Sequence, residues 1–428
     1  MISLRLYNFL WTCLYPVIGL LLARRARAGK EDITRLGERY GRYTKTYQRG
    51  SIWLHAVSVG ETIAALALAD ALHDEHNDHP PIIITTNTLS AAQMIARAKT
   101  RAPITHIYQP LDHAAFIDRF LDMFSPQVAI FMESDFWPNL VTRTAARHIP
   151  VIFASAQLSQ KAVISWRRQT SIARQIFGCA DLILAVDEDQ QQHFITLGAT
   201  ASKVHVGGSL KMTPANLSID ADLQKLILNA SGKRAIFLAA STHEGEDEAA
   251  IAVAQQHADK ILTIIAPRHP ERGDAIAAMA HASLGQAMPQ RSKGQTPDSQ
   301  TALYVLDSLG EMGSVFDLAD VVFLGGSLVP NGGHNPLEPA SFGVPIITGT
   351  HIFKNEAEFN ALFRCDIIHM IDQPDDLGAM VTSVLSCDSR KKQQQAAAAK
   401  NYVESARQRP LKVARMIFAV VNAKAVDR

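Results

Sequence analysis

A chain of 428 residues exceeds what one hydrophobic core usually serves, so two domains are expected, and a hydrophobic content of 47% marks them as globular. The formal charge of +1 supplies no broad basic field, which excludes a nucleic-acid protein held by bulk electrostatics. Cysteines at 13, 179, 365 and 387 form no C-x-x-C pair and no metal-ligand spacing, so free thiols in a reducing compartment are expected and no metal site.

The first element is apolar. Leu6 to Ala23 is almost uninterrupted by polar residues, with Arg5 before it and Arg24, Arg25 and Arg27 after it, so residues 1–23 read as a membrane anchor. Asn8, Thr12, Pro16 and Gly19 interrupt the run, whose length is at the lower limit for a span. A tilted span and an interfacial helix both fit, and a buried amino-terminal helix is the plain structural alternative. The arginines follow the apolar run and no small-residue cleavage site is present, which argues against a cleaved signal peptide and keeps the remainder cytoplasmic.

Beyond the polar stretch 29–49, strand and helix patterns alternate in the manner of parallel sheets. Strands are expected at Ile52–Val57, Pro81–Thr85, Val128–Met132, Val151–Ala154 and Leu182–Val186, with helices at Glu61–Leu72 and Ala91–Ala98. A second series follows at Ala235–Ala240, Ile261–Ala266, Ala302–Leu306, Val321–Leu324 and Pro345–Thr348, ending in carboxy-terminal helices that include the glutamine- and alanine-rich tract 393–400. The divide falls near 205–220, giving an α/β chain of two Rossmann-like domains, 24–212 and 213–428. Facing domains of this kind hold ligands at the carboxyl ends of their strands.

The chemistry-bearing residues stand at those ends. Asp320–Leu324 runs into Gly325-Gly326, and Gly332-Gly333-His334-Asn335-Pro336-Leu337-Glu338 opens a helix. Glycines let a ligand approach bare backbone, and a proline in the first turn gives up only an orphan amide. The amides ahead of it draw an anion, and Glu338 is placed to accept from ribose hydroxyls. Arg268 and His269 follow another strand and suit a phosphate. No G-x-x-x-x-G-K-[ST] loop exists, so the phosphate reads as a leaving group on a bound donor. Ser241 and Thr242 lie at a further strand end in the same half.

In the first half, Glu61 sits at a strand-to-helix turn. It is either a general base for an attacking hydroxyl or a helix-capping carboxylate. Glu133 and Asp135 form a pair of acids near the same rim, able to orient an acceptor, to stabilise positive charge developing at a sugar, or to cap the next helix. Trp137 reads as packing. Lys211 lies near the domain junction, and spacing alone makes it a surface lysine.

Six motifs in order carry a resemblance: H-A-V-S-V-G-E (55–61), E-S-D-F-W-P-N (133–139), G-S-L-K (208–211), A-P-R-H-P-E-R (266–272), L-G-E-M (309–312) and G-G-H-N-P-L-E-P (332–339). Together with the amino-terminal anchor and E-R-Y-G at 38–41, they resemble the Kdo transferase family. Its members move 3-deoxy-D-manno-oct-2-ulosonic acid from its CMP ester to a lipid A precursor.

The resemblance implies a GT-B fold, an acceptor-binding first domain and a CMP-sugar-binding second one. It implies Glu61 as base, with Glu133 and Lys211 as transition-state or positioning residues. Pro267, Arg268, Gly310, Glu311, Met312 and the stretch Asn335, Pro336, Leu337 and Glu338 would form the cytidylate site. His269 is counted with the donor-binding residues, and Asp135, Ser241, Thr242, Gly332, Gly333 and His334 are further cleft candidates. An inverting, metal-independent transfer without cofactor is implied, at the cytoplasmic face of the inner membrane, with CMP-Kdo and a lipid A precursor as partners. Another nucleotide-sugar transferase and a catalytically silent lipid-binding homologue are the competing readings. The chain departs from the family pattern at Gln157, where N-A-R-L-S is usual, at Met212, where an aromatic is common, and at Lys354 in Phe353-Lys354-Asn355.

Overall fold

The computed structural model describes residues 3–75, 80–211 and 217–426, and they fold as two units. One comprises Met1–Lys211 with Gln408–Arg428, the other Met212–Arg407. Met212 itself lies outside the described residues.

The first unit holds a sheet of seven parallel strands, β1 (Ile52–His55), β2 (Ile82–Thr86), β3 (Ile104–Tyr108), β4 (Val128–Met132), β5 (Val151–Ala156), β6 (Leu182–Ala185) and β7 (Val204–Val206). Their order is β3-β2-β1-β4-β5-β6-β7. The second unit's six parallel strands are β8 (Ala235–Thr242), β9 (Ile261–Pro267), β10 (Leu303–Val305), β11 (Val321–Leu324), β12 (Ile346–Thr348) and β13 (Ile368–Met370), in the order β10-β9-β8-β11-β12-β13. Parallel pairing needs a crossover helix after nearly every strand and covers both faces of the sheet, which is why central strands such as Val128–Met132 are apolar and buried at every position. Each unit accordingly has an apolar cluster on either face of its sheet. Trp53, Phe131 and Phe153 lie on one face of the first and Leu54, Ile130 and Ile152 on the other. In the second unit, Leu238 and Val322 oppose Phe237 and Phe323.

Strand order reverses between β1 and β4 in the first unit and between β8 and β11 in the second. Connections from those neighbours leave in opposite directions and open a crevice at the carboxyl ends, where doubly wound sheets bind ligands. Glu61 and Glu133 follow β1 and β4; His243 and Gly325 follow β8 and β11.

Two expectations are corrected. Residues 213–428 do not all belong to the second unit. The helix Ser389–Val426 contributes Ala399, Val403 and Ala406 to that unit's core, whereas Val413, Ala414 and Ile417 join the first unit's core, and residues 408–428 are grouped there. The amino-terminal segment is also not separate from the domain behind it. It forms the helix Leu4–Arg27, capped by Ser3. Tyr7 donates to Asp112 at 2.8 Å, Tyr15 packs edge-on against Tyr40 and Phe116, and Leu22 and Ala26 are buried. Its other side leaves Phe9 and Leu20 exposed. Among the described residues no single helix is long and apolar enough to cross a membrane. The arms Leu4–Tyr15 and Val17–Arg27, bent by 57°, together have the length and composition of a broken span.

Candidate functional site

In the first unit, the turn after β1 places Glu61 in the opening turn of the helix Val59–Glu75. Its Oε2 accepts from the Val57 amide at 2.7 Å and its Oε1 from the Ser58 hydroxyl at 3.2 Å, while the Glu61 amide donates to Ser58 Oγ at 3.3 Å. The capping geometry is therefore present, and it holds the carboxylate in one orientation. Burial raises the Glu61 pKa above the ordinary carboxylate value; the Val57 amide opposes this and the charge of Glu133 adds to it. A carboxylate tuned upward in this way is a stronger proton acceptor.

Glu133 follows β4 with a left-handed backbone, φ 57°, which a non-glycine residue adopts only where the surroundings hold it. Its buried Oε2 receives Lys211 Nζ at 2.6 Å and Gln157 Nε2 at 3.0 Å, while Oε1 is buried with no hydrogen-bond partner. Lys211 is therefore no free surface lysine. Ser155, also left-handed at φ 52°, accepts the Leu210 amide at 2.7 Å and so fixes the segment that presents it. Asp135 Oδ2 accepts from Trp137 Nε1 and meets His55 Nε2, both at 2.8 Å, and His55 Nδ1 meets Thr85 Oγ1 at 2.8 Å. An ionised Asp135 can only accept, so His55 donates to it from Nε2.

In the second unit the glycine turn after β11 has a different tenant from the anticipated phosphate. The Glu246 carboxylate, fully buried, accepts the amides of Gly326 at 2.8 Å, of Ser327 and Leu328 at 3.0 Å each, and of His243 at 2.9 Å. A Cβ at Gly325 would lie 2.5 Å from the Ser241 carbonyl oxygen and 2.9 Å from Glu246 Oε2, which is why glycine stands there. The amides that the sequence offered to a ligand at this turn are filled by the chain's own anion.

The second glycine pair is likewise reassigned in part. Pro336 is the cap residue of the short helix Leu337–Phe342, not a residue of its first turn, and Asn335 Oδ1 accepts the Leu337 amide at 3.0 Å. Asn335 Nδ2 reaches Glu338 Oε1 at 3.5 Å. Burial raises the Glu338 pKa, with Asn335 and Arg268 opposing. Gly332 and Gly333, both left-handed, lie against Lys354 and Phe359 respectively.

Arg268 and His269 leave the end of β9, which closes on the buried Pro267; both are exposed, and the Arg268 guanidinium has no partner among the described residues. The Arg268 amide donates to the Thr242 carbonyl at 3.0 Å, just beyond the shift in β8–β9 register between Ala240 and Thr242, where Ser241 has a φ of 55°. Glu311 is bound on both oxygens by Arg291 Nε, at 3.0 and 3.1 Å. Burial raises its pKa, but the bonds from Arg291 and Ser308 outweigh that and leave it lowered. It follows Gly310, left-handed at φ 88°, and precedes the helix Met312–Leu318.

A family model for 3-deoxy-D-manno-octulosonic-acid transferase (kdotransferase) matches residues 34–213. The 3-deoxy-D-manno-octulosonic acid transferase of Haemophilus influenzae is 33% identical over 386 residues, covering 88% of each chain. The chain belongs to the Kdo transferase family. The Rickettsia bellii transferase of the same name is 32% identical over 362 residues, 82% of this chain and 84% of that one. Family members are glycosyltransferases, and the fold agrees. A solved UDP-GlcNAc 2-epimerase from Neisseria meningitidis, 13% identical, covers 83% of this chain and 99% of its own at a TM-score of 0.51. The glycotransferase of kitacinnamycin, 14% identical, covers 87% and 99% at 0.50. The two parallel-sheet α/β domains are of the GT-B class.

Sequence reasoning missed His55, Ser155, Glu246 and His243 as members of these two clusters. His55 stands inside the stretch 55–61 and His243 directly follows Thr242 at a strand end, so their position was available as a signal. Ser155 binds the Leu210 amide and Glu246 those of Gly326, Ser327 and Leu328, all far away in sequence, and no pattern announces that. Gln157, noted only as a departure from the family pattern, donates to Glu133.

Proposed function

We propose that this chain is an inverting glycosyltransferase that moves Kdo from CMP-Kdo to a lipid A precursor in lipopolysaccharide assembly. The observation that carries the reading is the Glu61, Glu133 and Lys211 arrangement at the switch point of the first sheet, within a chain of this family. Glu61 removes the proton from the acceptor hydroxyl as it attacks. Lys211 and Gln157 hold one oxygen of Glu133, which leaves the other for the acceptor or the positive charge growing on the sugar.

The second unit binds the CMP moiety in this reading. Arg268 meets the phosphate that departs, Glu338 the ribose, and Pro267, Gly310, Met312 and Asn335 the remainder of the cytidylate, without metal or cofactor. Glu311 takes part through its backbone, because Arg291 holds its carboxylate. The exposed apolar side of Leu4–Arg27 and the arginines at its end attach the protein to the cytoplasmic face of the inner membrane.

Mass analysis of a lipid A precursor incubated with the protein and CMP-Kdo generated in situ tests the reading. The wild type should add Kdo mass. Glu61→Gln should slow transfer by about two to four orders of magnitude while still binding CMP. Near-normal turnover by that variant would remove Glu61 from its role, and no Kdo addition by the wild type would defeat the reading.

A further inference from the structure

His243 and His334 face each other beside the glycine turn of the second unit, with Nε2 to Nε2 at 2.9 Å and ring planes within 2° of parallel. Two imidazoles at this distance share one proton: one ring donates, the other accepts. A Cβ at Gly326 would stand 3.2 Å from the His334 ring and 3.5 Å from His243, so bare backbone is what lets the pair close. The His269 ring lies 6.0 Å from His243.

The charges around the pair are unbalanced. Glu246, the nearest carboxylate, is occupied by four backbone amides, and Arg272 is paired with Asp247. Arg268 and Lys354 form no ion pair within 4 Å among the described residues, although the charge of Arg268 is felt by Glu338, and His269 has only Glu271, at 3.7 Å. Burial raises the Glu338 pKa, with Asn335 and Arg268 opposing. Burial lowers both histidines; at His243 the charge of Glu246 opposes this and the neighbouring cations add to it, while at His334 the cations act with burial and bring it to about 4. These surroundings favour the neutral form of both histidines.

We propose that His243 and His334 form a single proton-sharing clamp for the phosphate of the donor, and that the clamp takes one proton from solvent when the phosphate binds. The proposal rests on the CMP reading above and adds to it a pair that acts on the leaving group. A phosphate beside Arg268 reverses the local field and makes an imidazolium–imidazole pair favourable. The chemistry uses that charge. When the sugar–oxygen bond breaks, its electron pair stays on the phosphate, whose charge goes from −1 in the diester to −2 in CMP. The clamp's extra proton then faces the additional charge, and it returns to solvent when CMP leaves.

Calorimetric titration of CMP into the full-length protein at pH 7.5, in two buffers of different ionisation enthalpy, tests the clamp. At that pH the second phosphate ionisation, near pH 6, is largely complete, so protons counted belong to the protein. The expected result is uptake of roughly half a proton or more per CMP in the wild type and in His269→Gln. In the double variant His243→Gln/His334→Gln the uptake should vanish and the dissociation constant should rise about tenfold. Tight CMP binding with equal heats in both buffers would overturn the clamp and leave the donor site standing. Uptake that persists in the double variant, or that disappears in His269→Gln, would assign the proton elsewhere and overturn it too. Absence of CMP binding in the wild type would take down the clamp and the donor reading together.

Discussion

Three buried carboxylates show how partners decide the task of a residue. Glu246 has its oxygens filled by four backbone amides, so it is a structural anion inside a turn. Glu61 caps its own helix, but burial, with the charge of Glu133 adding to it, raises its pKa, as the base proposed for it requires. Glu133 has one oxygen bound twice and one free of any partner, the arrangement of a group waiting for a ligand. The first case predicts a stability effect. Glu246→Ala strips four amides of their acceptor, and because each buried unsatisfied donor costs on the order of 1–3 kcal/mol, a loss of about 3 kcal/mol or more is expected even after water enters. Differential scanning calorimetry should show a clear drop in melting temperature; an unchanged transition would mean that the turn holds itself without the carboxylate.

Among the elements, the strands that the sequence pattern did not mark are β3, β7 and β13, and all three are edges of their sheets. An edge strand is short and needs apolar residues on fewer sides, so Val204-His205-Val206 and Ile368-His369-Met370 carry no continuous hydrophobic run. The amino-terminal helix was legible as apolar and flanked by arginine, but its attachment was not. Asp112 accepts the amides of Asn139 and Leu140 at the start of the helix Pro138–Ala146 and also the hydroxyl of Tyr7, joining the amino-terminal helix to the loop that carries Glu133 and Asp135.

Burial pushes the Asp112 pKa up to about 7, against the hydrogen bonds it receives. The folded value lies above the ordinary value of about 4, so the folded protein retains a proton that the unfolded chain loses in between. Its contribution is complete below about pH 4 and is lost as pH rises through about 7. Asp112→Asn keeps a neutral acceptor and has no such dependence. The melting temperature of the wild type minus that of Asp112→Asn should therefore fall steadily from pH 4.5 to pH 7.5, and a difference that is flat or rises would show that Asp112 is ionised throughout.

At the scale of the whole molecule, the two sheets divide the candidate residues cleanly: Glu61, Glu133 and Lys211 belong to one unit, Arg268, Glu338 and the histidines to the other. If the second unit alone holds CMP, donor defects are confined to it. Arg268→Ala removes a charge-assisted contact and Glu338→Ala a ribose acceptor, and each should weaken CMP binding by about 1.5–3 kcal/mol. Glu133→Ala should leave CMP affinity nearly unchanged. Titration of CMP into the three variants checks this; equal weakening in all three, or none in the first two, would contradict the division of roles.

What the sequence by itself determined is the class of the protein and the strand ends at which its candidate residues stand. Alternating apolar runs and helices dictate parallel sheets because only buried parallel strands need hydrophobic residues at every position, and strand ends are where such sheets present ligands. Local order was enough for this, as it was for Glu61 in its turn and for the residues around Asn335. Tertiary structure alone decided which groups are occupied. The amides of the turn at Gly326 looked open and are filled by Glu246; Lys211 looked like a surface lysine and is held against Glu133; the end of the last helix looked like part of the second domain and lies with the first. Each of these depends on a partner from a distant part of the chain, and hydrogen bonds and ion pairs of that kind form when the fold closes, leaving no periodic trace in the residues that make them.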